Sequence, residues 1–154
     1  MPQTLREELK QTKPFGSAEQ EALLSIERTA AVFRHRLGEE LKQFGVTPTQ
    51  FNVLRILRGA GPAGLCRNEI RDRLVSQVPD VTRLLDRMEE AGLIARARDT
   101  VDRRLVTTRI TPAGLKLLEE LDGHVQRIER SQIGHMSESQ LRTLIELLAL
   151  ARAG

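Results

Sequence analysis

Apolar positions along the chain recur every three or four residues over most of its length and every second residue in one short region, and this change of period divides it into elements. Leu5 and Leu9, four apart, predict a short helix or an ordered arm that Pro14 and Gly16 end. Ser17 with Gln20 reads as a capping box, in which each side chain satisfies the other residue's free backbone N–H. From there Ala22, Ile26, Ala30, Phe33, Leu37, Leu41 and Phe44 carry one stripe as far as Gly45. A helix of that length is long for a small globular domain, and it predicts packing against a second subunit. Thr47, Pro48 and Gln50 repeat the start signal, with proline at the first helical position, where its missing N–H costs nothing. Phe51, Leu54 and Leu57 form the buried side of this second helix, and residues 59–64, GAGPAG, break it. A short third helix turns Ile70 and Leu74 inward and Arg67, Arg71 and Arg73 outward, and Val75 to Val78 make a turn.

The next stretch organises the rest. From Pro79, residues Val81, Leu84, Leu85 and Met88 form one apolar face and leave Asp80, Thr82, Arg83, Asp86 and Arg87 on the other. Gly92 is placed to cap the C-terminus. The period then drops to two: Ile94 to Arg98 alternates apolar and basic residues, and Leu105 to Ile110 is rich in β-branched types. Asp99 to Arg104 between them form a turn too polar to bury. Thr111 and Pro112 open another helix, striped by Leu115, Leu118, Leu121, Val125 and Ile128. His135 and Met136 fall in a connection, and Ser137 with Gln140 caps a last helix carrying Leu141, Leu144, Ile145 and Leu148. The predicted class is mainly α: a winged helix-turn-helix domain with a two-stranded wing over 46–111. Residues 1–45, an N-terminal arm and long helix, and residues 112–154, two further helices, flank it, the whole making one compact domain.

Composition narrows the function. At 154 residues the chain suits one domain with a proper core. It contains neither a run of eighteen apolar residues nor a charged-then-apolar opening, so a soluble, cytoplasmic protein is expected. Cys66 is the only cysteine, which rules out an internal disulfide. The net charge is +3, but between Arg55 and Ile110 twelve arginines face eight acids, a net of +4 that leaves −1 for the remainder. Arginine's planar fork suits phosphates and guanine edges. With no Trp or Tyr, and all four Phe upstream of the basic middle, the chain lacks the stacking surface that single-stranded nucleic acid requires. A helix with a solvent-facing polar side followed by a basic hairpin is the plan of a winged reader of duplex DNA. No Gly-rich phosphate loop, nucleophile elbow or paired metal motif supports an enzyme, and no cofactor is expected.

Residues 81–114, VTRLLDRMEEAGLIARARDTVDRRLVTTRITPAG, resemble the core signature of the MarR family of bacterial transcription regulators. The specific part is the wing motif of Asp, any residue, Arg, five more, an aliphatic and Thr, matched by Asp102, Arg104, Ile110 and Thr111. Val81 to Leu84 with Asp86 and Arg87 match the recognition helix, and Gly92 with Leu93 its exit. The resemblance implies a homodimer whose N- and C-terminal helices interlock and whose two recognition helices enter successive major grooves of a pseudo-palindrome. It also implies control by a small-molecule effector, held between the dimer helices and the winged domain near Phe33, Leu37, Phe51 and Arg55. One departure stands out: where the family's helix opens on Ser or Thr shortly before the proline, this chain has Gln77, a poorer cap, with Ser76 one residue earlier.

The candidate contacts follow. On the recognition helix they are Gln77, Asp80, Thr82, Arg83 and Arg87, against the alternative of solvated helix residues. Asp80 is better explained as an acid near a helix N-terminus than as a cytosine acceptor. On the wing, Arg103 and Arg104 are expected to enter the minor groove, where the potential is most negative, with Asp102 orienting the turn through a salt bridge. Thr47, Thr49, Arg67, Arg96 and Arg98 are weaker phosphate candidates. Cys66, at the start of the third helix, reads as a partly buried filler, with a redox role as the alternative. His35, His124 and His135 show no paired metal spacing. Three classes remain: a ligand-responsive regulator, a winged module that binds protein or DNA without sensing, and, least supported, an enzyme.

Overall fold

A computed structural model describes residues 1–154. Seven helices and three strands follow in the order α1 (Leu5–Glu8), α2 (Ala18–Leu41), α3 (Pro48–Ala60), β1 (Leu65–Cys66), α4 (Arg67–Arg73), α5 (Val81–Glu90), β2 (Ile94–Arg98), β3 (Val106–Ile110), α6 (Pro112–Ile133) and α7 (Glu138–Arg152). The order agrees with the apolar periodicity. Details at three helix ends differ. Helix α2 stops at Leu41 and tightens into a 3-10 turn over Lys42–Phe44 that Gly45 closes. At its other end Ser17 accepts from the Gln20 amide, but Gln20 Oε1 takes the Gly16 N–H at 2.7 Å instead of that of Ser17, so the expected box is only half made. Helix α5 begins at Val81 and not at Pro79.

The wing has a third strand that the periodicity does not reveal. The sheet order is β1-β3-β2 with both pairings antiparallel, so β3 is central, and Leu65 pairs with Thr108 and Cys66 with Thr107. Two residues are too few to display a period of two. They become a strand because the far edge of β3 carries backbone donors and acceptors that would otherwise go unpaired. Thr108, in the middle of β3, is 1% exposed and is the one buried polar residue.

The core lies between α3, α4, α5, α6 and the root of the wing. Leu54, Leu57, Ile70, Leu85, Met88, Ile94, Leu118 and Leu121 are all almost fully buried there. Each such side chain contributes about 1.5–3 kcal/mol relative to exposure, so the recognition helix is anchored by its inward stripe of Val81, Leu85 and Met88. The outer helices contrast with this: α2 buries only Leu41, and α1 and α7 bury nothing. No helix is long and apolar enough to cross a membrane.

Candidate nucleic-acid interface

Two local motifs define α5. Asp80 is its N-cap, accepting the Arg83 amide at 3.0 Å. That bond satisfies one of the free N–H groups of the first turn and places the carboxylate at the positive end of the helix dipole. At the other end Leu93 N donates to Met88 O at 3.1 Å and Gly92 N to Glu89 O at 2.9 Å, with Gly92 at φ 77°. This is the Schellman arrangement, which needs a left-handed residue that a glycine supplies without a Cβ clash. Between these stops, Thr82, Arg83, Asp86 and Arg87 face outward. Gln77, placed on the recognition helix by the sequence, lies instead in the turn before it, three residues ahead of the cap, because Asp80 out-competes the upstream residues as the capping acceptor.

The guanidinium groups of Arg83 and Arg87 are exposed and have no partner in the chain; Arg83 is bonded only through its backbone. Two of the nearby carboxylates are engaged elsewhere. Asp86 and Glu89 both accept from Arg96, at 2.6 and 3.0 Å, and Glu89 also takes the Arg96 amide at 2.8 Å. The Arg96 side chain, 21% exposed, is thereby a brace between β2 and the recognition helix. Its hydrogen bond holds the Glu89 carboxyl below the usual carboxylate range, helped by its amide, and Glu89 in turn raises the Arg96 guanidinium. The Arg96 guanidinium, which the sequence offered as a weak phosphate candidate, is occupied inside the protein, and Asp86 pairs with it and not with Arg83 or Arg87.

The wing tip is stabilised by its own side chains. Asp99 Oδ1 accepts the amides of Val101 at 2.7 Å and Asp102 at 3.3 Å, which together hold its carboxyl below the ordinary range. Asp102 Oδ1 accepts both the amide and Nε of Arg104, at 3.1 and 3.2 Å. Arg98, another weak phosphate candidate, donates to the Arg103 carbonyl at 2.9 Å and so buttresses the turn. Arg103 and Arg104 project outward, Arg104 with 92% of its side chain exposed.

The remaining weak candidates are also partly occupied. Arg67 donates to Thr82 Oγ1 at 3.0 Å, joining α4 to α5. Thr47 is consumed by its capping box with Gln50, and Thr49 accepts from Arg34 at 2.6 Å. Cys66 is half-buried, pairs with Thr107 and leads into α4, its amide donating to Glu69 at 3.3 Å. With Arg67, Thr82, Arg96 and Arg104 it lines a cleft of about 350 Å³ between wing and recognition helix. His124 stacks edge-on against Phe44, and no three His, Cys, Asp or Glu side chains meet in a metal-binding cluster.

A second cavity, about 390 Å³, lies among α2, α3, α6 and the turn before α5. Phe33, Leu37, Phe51 and Arg55, the positions implied by the family resemblance, all line it. So do Arg34, Ser76 and Gln132, which sequence reasoning missed. Nothing in their spacing marks them, because they belong to three separate elements.

The family model of MarR matches residues 46–106, which include the recognition helix and most of the wing. The Bacillus subtilis transcriptional repressor MdtR is 30% identical over 131 residues, covering 84% of this chain and 83% of its own. The structure of a MarR transcription factor from Planctomyces limnophilus is 39% identical with a TM-score of 0.68, covering 89% of this chain and 99% of that one. The S. aureus MepR–DNA complex superposes with a TM-score of 0.74 at 25% identity, over 91% of this chain and 98% of that one. With helix order, sheet and wing motif agreeing along nearly its whole length, the chain belongs to the MarR family of winged helix-turn-helix transcription regulators.

Proposed function

We propose that the protein acts in the cytoplasm as a homodimeric, ligand-responsive repressor of a pseudo-palindromic operator. Residues 46–111 form the reading unit, and residues 1–45 and 112–154 hold two such units together. The observation that carries this reading is the pattern of free and occupied charge. Arg83 and Arg87 on α5, and Arg103 and Arg104 on the wing, point to solvent, while Asp80, Asp86, Glu89, Asp99 and Asp102 around them are all hydrogen-bonded within the protein. Cations whose neighbouring carboxylates are mostly committed within the protein present the field that a polyanion requires.

In this reading Arg83 and Arg87 reach base edges in the major groove, with Thr82 and the exposed Gln77 beside them, while Arg104 and Arg103 approach the minor groove. Asp102 orients Arg104, Arg67 stands near a phosphate, and Thr47, Thr49 and Arg98 act by supporting structure. The cavity lined by Phe33, Leu37, Phe51 and Arg55 receives the effector, and no catalytic step is involved. A relative named as a repressor and a relative solved on DNA support the assignment.

Selection of bound fragments from random duplex DNA tests it. The expected winner is a palindrome whose half-sites are about one helical turn, roughly 34 Å, apart. Its affinity should fall steeply with salt. Equal affinity for all duplexes would defeat the proposal.

A further inference from the structure

The loop of residues 99–105 joins β2 to β3 and carries Arg103 and Arg104. The Asp99 amide closes it by donating to the Leu105 carbonyl at 2.8 Å, and inside that closure the Leu105 amide donates to the Asp102 carbonyl at 3.0 Å. Side chains hold the rest. Asp99 Oδ1 accepts the amides of Val101 at 2.7 Å and Asp102 at 3.3 Å, which fixes the backbone of Asp102. Asp102 Oδ1 in turn accepts the amide and Nε of Arg104. A line of bonds therefore runs from the Asp99 carboxylate through Asp102 to the Arg104 guanidinium, and Arg103 is held beside it by the bond from Arg98 to its carbonyl.

Asp99 is an odd residue to find there. It is half-buried, and both of its partners are backbone N–H groups, so its oxygen is used while its charge neutralises no cation. Those two amides also keep it ionised, holding its carboxyl below the ordinary range. Beside a polyanion such a charge is a liability, because Coulomb repulsion alone would favour its removal. Its benefit lies in geometry. An ionised acceptor makes hydrogen bonds roughly twice as strong as a neutral one. Ordering long side chains during binding costs free energy, and a loop fixed beforehand lowers that cost.

We propose that Asp99 is the positioning residue of the wing: it touches no DNA, and its carboxylate holds the loop so that Arg103 and Arg104 meet the minor groove already ordered. This rests on the wing reading given above. Charge and geometry then predict opposite signs. Asp99→Ala removes both the negative charge and the acceptor, so repulsion alone would make binding tighter, whereas loss of positioning makes it weaker. Asp99→Glu keeps the charge and displaces the oxygens by one methylene, so it should behave like Asp99→Ala. Asp99→Asn removes the charge and keeps an oxygen for the two amides; its weaker bonds are offset by the lost repulsion, and its binding stays near that of wild type.

Fluorescence anisotropy of the full-length protein on the selected operator, and on an unrelated duplex of equal length, tests this, together with nitrogen-15 relaxation at the Arg104 Nε–H of the free protein. Asp99→Ala and Asp99→Glu should bind both duplexes about tenfold more weakly, the order of loss expected when two long side chains must be ordered on binding. Their Arg104 Nε order parameter should fall below about 0.6. Asp99→Asn should stay within about threefold of wild type and keep the order parameter, since its oxygen still accepts. In an Arg103→Ala/Arg104→Ala background the wing has nothing left to present, and Asp99→Ala should cost nothing. The positioning role is overturned, with the wing reading intact, by any of three results: Asp99→Ala and Asp99→Glu binding as tightly as wild type, Asp99→Asn losing as much as they do, or an equal loss in the double-arginine background. If Arg103→Ala/Arg104→Ala itself binds like wild type, the wing reading fails and the role of Asp99 falls with it.

Discussion

In the proposed reading, Arg83 and Arg104 contact a duplex in two different ways. Arg83, unpaired on the outer face of α5, can present its planar fork to a guanine, so Arg83→Ala should cost about 1–3 kcal/mol of discrimination at one base pair. Competition binding against single-base operator variants measures that loss, and unchanged discrimination would remove Arg83 from base reading. Arg104 is tied at Nε to Asp102 but leaves its terminal nitrogens outward. Its replacement by Ala should weaken all duplexes alike and lower the salt slope by about one. Glu89 behaves differently again, because its partner is internal. Its carboxyl is held below the ordinary 4.5 by Arg96, so its stabilising contribution is complete above that pH and is lost as pH falls through the lowered folded-state value. The stability difference between wild type and Glu89→Gln in urea unfolding should therefore be constant near neutrality and vanish in acid. A difference independent of pH would mean that the ion pair contributes nothing.

At the scale of elements, the joint between recognition helix, wing and α6 sets the geometry of reading. Thr111 Oγ1 donates to the Gly92 carbonyl at 2.6 Å and accepts the Gly114 amide at 3.1 Å, while its backbone N–H donates to Leu93 O at 3.1 Å. One threonine thus caps α6 and bonds it to the exit of α5. The joint closes only because Gly114 has no side chain: a Cβ there would lie 2.4 Å from Leu93 O and 2.7 Å from Ile110 Cγ1. Gly114→Ala should destabilise the fold by about 1–3 kcal/mol through overpacking, and it should reduce operator affinity by tilting α5 against the wing. Chemical denaturation together with operator titration checks both parts. The periodicity of α5, β2, β3 and α6 was readable because each rests on contacts within a few residues. The β1 edge was not, since two residues acquire strand geometry only from the strand they meet.

For the whole molecule the decisive feature is an apolar surface left uncovered. Leu23 and Ile26 on α2, Leu115 on α6, and Ile145, Leu147 and Leu150 on α7 are 40–71% exposed, and α7 buries no residue at all. These six large apolar side chains lie exposed on the N- and C-terminal helices, where a partner could cover them. They fit the homodimer proposed here, in which the stripes of α2 and α7 find their core in a partner. Replacing Leu147 and Leu150 together by Asp should yield monomers in sedimentation equilibrium. Operator affinity should then fall by about 10²–10⁴, because the second half-site loses its tethered reader. A dimer of wild-type strength in that variant would place the interface elsewhere.

The amino-acid order by itself determined the helices, most of their caps, the recognition stripe and the turn of the wing. These depend on which neighbours within a turn or a hairpin share a face, and spacing states that directly. Only the tertiary structure decided which charged groups are free. Arg96 and Arg83 look alike in the sequence, but the packing of β2 against α5 puts Asp86 and Glu89 beside Arg96 and leaves Arg83 in solvent. The same holds for Arg34, whose partner Ser76 is 42 residues away. A hydrogen bond between separate elements depends on distances of a few ångströms set by the core between them, and no period along a chain encodes those.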